Sequence, residues 1–188
     1  MSRGYVYLEY EGEENLRLFL TLMGRLLRDK VQSEPKGNGR ALVTLEDAQN
    51  SLPVFEASFD ALCVDNPGIA KALIIPSPSP CFFEGLELIG PKELDTYGHL
   101  CLSHPELLDG AMALLDPLSP EEIEAAYAYI KCGQSPSAAG LGIYAHKNTV
   151  CNRVKRFVGK TGIDLSLFSN QLFVYLLGNE WKKTLQRG

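Results

Sequence analysis

The fold of the C-terminal third is decided by residues 119–165, which read SPEEIEAAYAYIKCGQSPSAAGLGIYAHKNTVCNRVKRFVGKTGIDL. The stretch opens with Ser119 and Pro120, and Glu122 follows two positions later. A serine N-cap, a proline at the first helical position and a glutamate at the third form a capping box, which satisfies free backbone N–H groups at a helix start. Because Gly133 is a natural C-cap, the sequence predicts a helix between Ser119 and Gly133.

A second, short helix is predicted from Ser135 and Pro136 to residue 141, and its small residues at 138–140 would let another helix cross closely. After a turn around residues 142–146, the next segment has one apolar face, formed by Val150, Val154, Phe157 and Val158. Two helices joined by a tight turn, with a third helix before them, predict a helix-turn-helix module.

The opposite side of the predicted recognition helix, over about residues 147–158, is polar and basic. At 100° per residue it presents Asn148, Asn152, Lys155 and Arg156. Asparagine pairs with adenine, and lysine or arginine pairs with guanine or a phosphate oxygen, so this face has the chemistry that DNA requires. An ordinary solvated helix face is the alternative. The residues predicted to contact DNA are His146, Lys147, Asn148, Thr149, Asn152, Arg153, Lys155 and Arg156.

Two of these residues have a competing structural interpretation. Arg153 projects to the edge of the apolar stripe, where it either contacts a phosphate or ties the helix to a carboxylate such as Asp164 or to backbone carbonyls. His146 stands at the helix entrance and is open to three roles: a cap, a phosphate contact or a base contact. A lone histidine is not a metal site, and no metal, cofactor or catalytic residue is predicted.

Charge divides the chain near the start of this module. The net charge is −5, but residues 1–130 carry nine Lys and Arg against 21 Asp and Glu, whereas residues 131–188 carry nine against two. A basic segment on an acidic body indicates a phosphate-facing module attached to something else. The alternative is a basic surface that only faces solvent, which would give the same distribution of charge.

The residues before the module alternate between strand and helix patterns, which predicts an α+β fold. Strands are expected at 5–10, 41–45 and 70–75, with another possible at 86–89; helices are expected at 13–31, 53–62 and 105–115; a turn is expected at 35–40. The chain is thus predicted to hold a small mixed α/β regulatory or dimerisation domain over 1–115, followed by an all-α helix-turn-helix domain over 116–188.

The last helix of the chain is predicted to be apolar over more than one face. Its main stripe is Phe168, Leu172, Tyr175 and Leu176, with Phe173 and Leu177 beside it. We expect it to be buried on two sides, one of them against the helix-turn-helix core. The other neighbour is either the N-terminal domain or a second subunit.

The C-terminal segment resembles the helix-turn-helix domain of PucR/CdaR-type transcriptional regulators. The matching positions are Ala139-Gly140, Ile143, Ala145, the run from His146 to Val150, Arg153-Val154 and the run from Thr161 to Leu165. The resemblance implies a DNA-binding transcriptional regulator with a degenerate GGDEF-like N-terminal domain. No GGDEF signature or glycine-rich phosphate loop is present, so the resemblance does not extend to nucleotide cyclase activity.

Two features depart from the family pattern. Asn152 stands where the family usually has an aromatic residue. Gly140 and Gly142 would loosen the first helix of the pair, because glycine has a low helix propensity.

The sequence favours a DNA-binding regulator, and the alternative is a protein-interaction module that keeps the fold but no longer binds DNA. An enzyme is not expected: His99, His104 and His146 lack partners at ligand spacing, and no nucleophile elbow is present. The expected partners are double-stranded DNA, a second copy in a homodimer and an unknown small-molecule effector. The N-terminal domain is the favoured dimer contact.

The five cysteines are odd in number and scattered, without CxxC or zinc-finger spacing. We expect reduced thiols that pack as small apolar groups, with a redox switch as the alternative. No stretch approaches the ~20 apolar residues that span a bilayer, and the acidic start does not read as a signal peptide. No membrane association is expected, and the predicted location is the cytoplasm.

Overall fold

The computed structural model describes residues 2–187 and divides into two compact units between Leu100 and Cys101. The first unit contains a five-stranded sheet, and regular structure in the described part of the second is helical. The predicted α+β fold class is confirmed. Residues 101–115 were predicted to belong to the N-terminal domain, but they fall in the second unit.

The first unit begins with a βαββαβ pattern, the ferredoxin-like arrangement. Its elements are β1 (Gly4–Tyr10), α1 (Glu13–Leu27), β2 (Val31–Gly37), β3 (Arg40–Leu45), α2 (Ala48–Asp65), β4 (Ile69–Ile75), α3 (Phe83–Glu87), β5 (Glu93–Thr96) and the start of α4 (Tyr97–Ser103). The strand order is β2-β3-β1-β4-β5. All neighbours pair antiparallel except β4 and β5, which are parallel.

Both faces of the sheet are covered, because successive side chains of a strand point to opposite faces. Gly4 lies against Ala48 of α2, so this face of β1 carries the two long helices. Tyr7 points to the other face, where its ring stacks on Phe83 at 3.9 Å between centroids. This two-sided burial explains why the central strand β1 is buried along most of its length.

Several predicted elements of the first unit were wrong or incomplete. A strand was possible at 86–89, but residues 83–87 form helix α3, and α2 runs from Ala48 to Asp65 although Pro53 lies inside it. The edge strand β2 includes part of the predicted turn, and its side chains are almost all exposed. It has no apolar alternation, and its pairing with β3 holds it in the sheet.

The second unit contains four helices that build the candidate site and short helical turns before them. The short helix α5 (Leu107–Ala111) comes first. The four helices of the candidate site follow it: α6 (Pro120–Lys131), α7 (Pro136–Gly142), α8 (Lys147–Thr161) and α9 (Phe168–Arg187). A 3₁₀ turn at Met112–Leu115 follows α5, so the single helix predicted over 105–115 is two shorter pieces.

Candidate nucleic-acid interface

Helix α6 begins with the predicted capping box. The Glu122 N–H donates to the Ser119 hydroxyl at 3.3 Å, and the Ser119 N–H donates to the Glu122 carboxylate at 3.0 Å. The helix ends at Lys131, and the chain leaves it through Gly133 and Gln134, both with positive φ. Local sequence thus fixes both ends of the helix that supports the helix-turn-helix pair.

Helix α7 and the turn after it are held by a close backbone contact. The Ala145 N–H donates to the Gly140 carbonyl at 2.9 Å, and a Cβ on Gly140 would overlap the Ala145 carbonyl oxygen. Ala139 and Val150 pack together with Ala128 of α6 in the core of the pair. Gly140 therefore lets the turn approach α7, instead of merely loosening the helix as its propensity suggests.

Helix α8 is the predicted recognition helix. His146 is its N-cap, and the His146 Nδ1 accepts from the Asn148 N–H at 3.3 Å. Gly162, in the left-handed conformation with φ 71°, ends the helix. Val150 and Phe157 are fully buried, while Val154 and Val158 are half-buried. The predicted apolar face is therefore the face that packs, and His146 takes the capping role among its three alternatives.

Most of the predicted DNA-contacting residues are exposed at the start of α8 or along its outer side. Seven of the eight are exposed, namely His146, Lys147, Asn148, Thr149, Asn152, Lys155 and Arg156. By the 100° helical step, Asn148 and Asn152 lie near the centre of this outer face, with Lys155 on one flank and Arg156 on the other. The amides are thus placed between two cations.

Arg153 is the exception, because it is half-buried. The pKa of Glu121 is lowered, first by a hydrogen bond from the Ser119 side chain and more weakly by the positive charge of Arg153. Of the two interpretations of Arg153, the tie to a carboxylate therefore has a nearby partner, which is Glu121 on α6.

An ion pair joins α6 to the end of α8. The Lys160 Nζ donates to the Glu122 carboxylate at 2.7 Å, and the Glu122 side chain is only 5% exposed. Lys160 first, and the Ser119 N–H second, hold the pKa of Glu122 below its ordinary value. One carboxylate therefore both caps α6 and fixes the position of α8 against it.

Only part of the predicted apolar surface of α9 is buried. Phe173, Val174 and Leu177 are its buried apolar residues, whereas Phe168 is 81% exposed and Tyr175 is 36% exposed. Tyr127 of α6 contacts α9 twice: its hydroxyl donates to the Asn179 Oδ1 at 2.7 Å, and its ring stacks on Tyr175 with the centroids 5.6 Å apart. Phe173 and Leu177, which were expected beside the main stripe, are therefore buried, whereas the expectation that the stripe through Phe168 is buried is wrong.

Two features beside the α8 face were not predicted from the sequence. Tyr144 in the turn before α8 is 99% exposed and has a left-handed backbone, with φ 52°. Gly159 continues the outer face of α8, and nothing lies within 4 Å of the position its Cβ would occupy. An aromatic residue next to a predicted tight turn is the signal that would have drawn attention to Tyr144.

The cysteines and other candidate ligands lie apart. All five cysteines are free thiols, and burial raises the pKa of Cys101 to about 12. Among residues 2–187, no three His, Cys, Asp or Glu side chains are grouped in a way that could hold a metal ion. Within the same residues, no helix has the length and apolar character to cross a membrane.

These helices define a class of protein module: α6 supports a helix-turn-helix pair, α7 and α8, whose second helix presents amides and cations outward. Residues 123–177 match the PucR C-terminal helix-turn-helix domain, from the first turn of α6 into α9. The chain therefore carries a PucR-type helix-turn-helix domain, and this part of the sequence-based resemblance is confirmed.

Two further comparisons concern the whole chain. No curated protein matches it. A solved structure, the regulator of polyketide synthase expression from Bifidobacterium adolescentis, is similar over 97% of this chain and 80% of that chain, with 12% identity and a TM-score of 0.38.

Proposed function

We propose that this protein is a PucR-type transcriptional regulator that binds double-stranded DNA through α8. The observation that carries the proposal is the outer face of α8, where exposed amide and cationic side chains stand together on a helix without any Asp or Glu. The match of residues 123–177 to a regulator domain supports it. Catalysis has no part in the proposed function.

The chemistry of the face assigns different tasks to its residues. Asn148 and Asn152, at the centre, are suited to adenine, which an asparagine amide recognises through paired hydrogen bonds in the major groove. Lys155 and Arg156, on the flanks, are suited to phosphate oxygens, which position a protein without reading sequence. His146, Lys147 and Thr149 surround the helix start, where backbone N–H groups also favour a phosphate.

A single recognition helix covers only a few base pairs, so we propose a homodimer that places two such helices on half-sites about one helical turn (~34 Å) apart. The N-terminal unit is then the regulatory and dimerisation part, a degenerate GGDEF-like domain. Its βαββαβ sheet is compatible with such a role and leaves any effector unidentified.

The test begins with selection of preferred sites from random duplexes, followed by binding measurements over a salt series. Lys155→Ala and Arg156→Ala should each weaken binding and lower the slope of log affinity against log salt by about 1. Asn148→Ala and Asn152→Ala should instead relax sequence preference. Lys183→Ala is the control, since this exposed lysine lies on α9 and pairs with Glu180 at 2.7 Å.

A second candidate function has one observation in its favour. Leu141 and Tyr144 are 82% and 99% exposed around the turn between α7 and α8, and exposed apolar side chains are typical of protein contacts. A helix-turn-helix module that binds a protein instead of DNA would use them. Failure to select any DNA site, or binding of a selected site by all four α8 variants as tightly as by the parent, would contradict the DNA proposal and favour this one.

A further inference from the structure

The outer surface of α1 and α2 carries exposed apolar side chains among its charged and polar ones. Leu18 and Leu26 on α1 are 48% and 44% exposed, and Val54 on α2 is 41% exposed. Single exposed apolar residues are common, but Leu18 lies four residues before the groove residue Leu22 and Val54 four before the groove residue Ser58, so each continues the groove-lining side of its helix. A groove of about 430 Å³ runs between the helices, and its walls include Leu22 and Ala61.

Two opposite charges stand in the walls of this groove. Arg25 comes from the last turn of α1, and Asp65 is the last residue of α2. Within residues 2–187, neither side chain belongs to an ion pair. A carboxylate at the C-terminal end of a helix interacts unfavourably with the helix dipole, so a cation beside Asp65 would stabilise this end of α2.

The two helices are antiparallel, which decides where these charges lie. At one end, Asp29 follows α1 and accepts from the Ser51 hydroxyl in the first turn of α2, at 2.7 Å. At the other end, the Glu11 N–H, before α1, donates to the Gly68 carbonyl, after α2, at 2.7 Å. Because both charges are near the C-terminal ends of antiparallel helices, they lie toward opposite ends of the groove.

We propose that a second copy of this chain covers the α1–α2 surface in an isologous dimer. A two-fold axis through the middle of the groove exchanges its two ends, so it brings Arg25 of each copy to Asp65 of the other. The same rotation lays the exposed leucines and Val54 of the two copies against each other. The arrangement specifies the contact of the proposed regulator's homodimer, and in that respect it rests on the proposed function.

The size of the surface is adequate for such a contact. Helices of 15 and 18 residues are about 22 and 27 Å long, and two side by side are about 20 Å wide. The projected area is about 500 Å², and side-chain relief brings the accessible area toward the ~800 Å² per partner of a standard interface. The pair of charges at each end then fixes the register.

The experiment measures the oligomeric state of the full chain by sedimentation equilibrium across the micromolar range, without DNA. The parent should be a dimer, and Leu26→Glu should raise its dissociation constant about 30-fold or more. Leu88→Glu is the matched control, because Leu88 is 43% exposed in the same unit but lies outside the groove. Circular dichroism confirms that each variant is folded.

A charge-reversal pair tests the register. Arg25→Glu and Asp65→Lys should each weaken the dimer about tenfold, because each places like charges together, and the double variant should return to within about threefold of the parent. A monomeric parent, a dimer unaffected by Leu26→Glu, or a double variant no better than the singles would overturn the proposal. So would dissociation caused by Phe168→Glu, which would place the contact on α9.

DNA binding is measured separately so that the two proposals fail independently. A monomeric Leu26→Glu variant should still bind a single half-site like the parent, because α8 is unchanged, and should lose only the added affinity for a paired site. A parent dimer that binds no DNA would contradict the proposed function and leave this interface standing. DNA binding by a parent that is monomeric in solution would do the reverse.

Discussion

Replacing Gly140 with alanine tests whether the close approach of the turn to α7 stabilises the helix-turn-helix pair. Gly140 has no positive φ, so alanine suits its backbone and would add about 1 kcal/mol of helix propensity. Its methyl group, however, would overlap the Ala145 carbonyl oxygen. Overpacking of a filled site typically costs about 1–3 kcal/mol, and a hydrogen-bonded backbone yields less than a side chain does. We therefore expect a cost toward the upper end, about 2–3 kcal/mol, which leaves a net loss of about 1–2 kcal/mol after the gain in propensity.

Thermal unfolding followed by circular dichroism measures the effect. For a unit of this size, the expected loss lowers the Tm by roughly 5–10 °C. Gly142→Ala is the matched control in the same helix, because nothing lies within 4 Å of its Cβ position; it should be neutral or slightly stabilising. If the two variants were equally stable, steric contact at Gly140 would not be the reason for the glycine, and the reasoning would be refuted.

Three further predictions concern single groups. Because the pKa of Glu122 is lowered in the folded state, its ion pair with Lys160 stabilises the protein at pH values above the ordinary carboxyl pKa of 4.5. This stabilisation is lost as the pH falls from 4.5 through the lowered pKa. Glu122→Gln should flatten the pH dependence of unfolding there, and an unchanged pH profile would contradict this. Tyr127→Phe should cost about 1 kcal/mol in chemical denaturation, because the hydrogen bond to Asn179 is lost; no change would mean that the bond contributes nothing net. Burial raises the pKa of Cys101 to about 12, so Cys101→Ser should leave the number of thiols that react in the native protein unchanged and remove one only after unfolding.

Exposure on the α8 face was predictable, whereas the DNA contacts stay a prediction. A 3.6-residue period and one apolar stripe place Val150 and Phe157 inside, and the same arithmetic turns Asn152 outward. Arg153 lies at the edge of the stripe, so its environment depends on the neighbouring helix α6. An edge residue is resolved only when the partner helix is known.

The first unit was predicted less completely, because strands depend on partners far along the chain. Strand β2 carries mostly exposed polar side chains, and strand β5 has only four residues. Neither has a pattern of its own, since each is held by hydrogen bonds to β3 or β4. A strand of this kind forms only where a neighbouring strand is available for backbone pairing.

By itself, the sequence determined the helix-turn-helix module, since its signals are local. The capping box of Ser119 and Glu122 spans one turn, and Gly162 ends α8 through its own backbone freedom. Only the tertiary structure decided which face of α9 is buried and that Lys160 meets Glu122 across 38 residues of chain. Local interactions join residues a few positions apart, so they can be predicted from one segment of sequence. Contacts between distant elements depend on how two surfaces fit together, so one segment alone does not predict them.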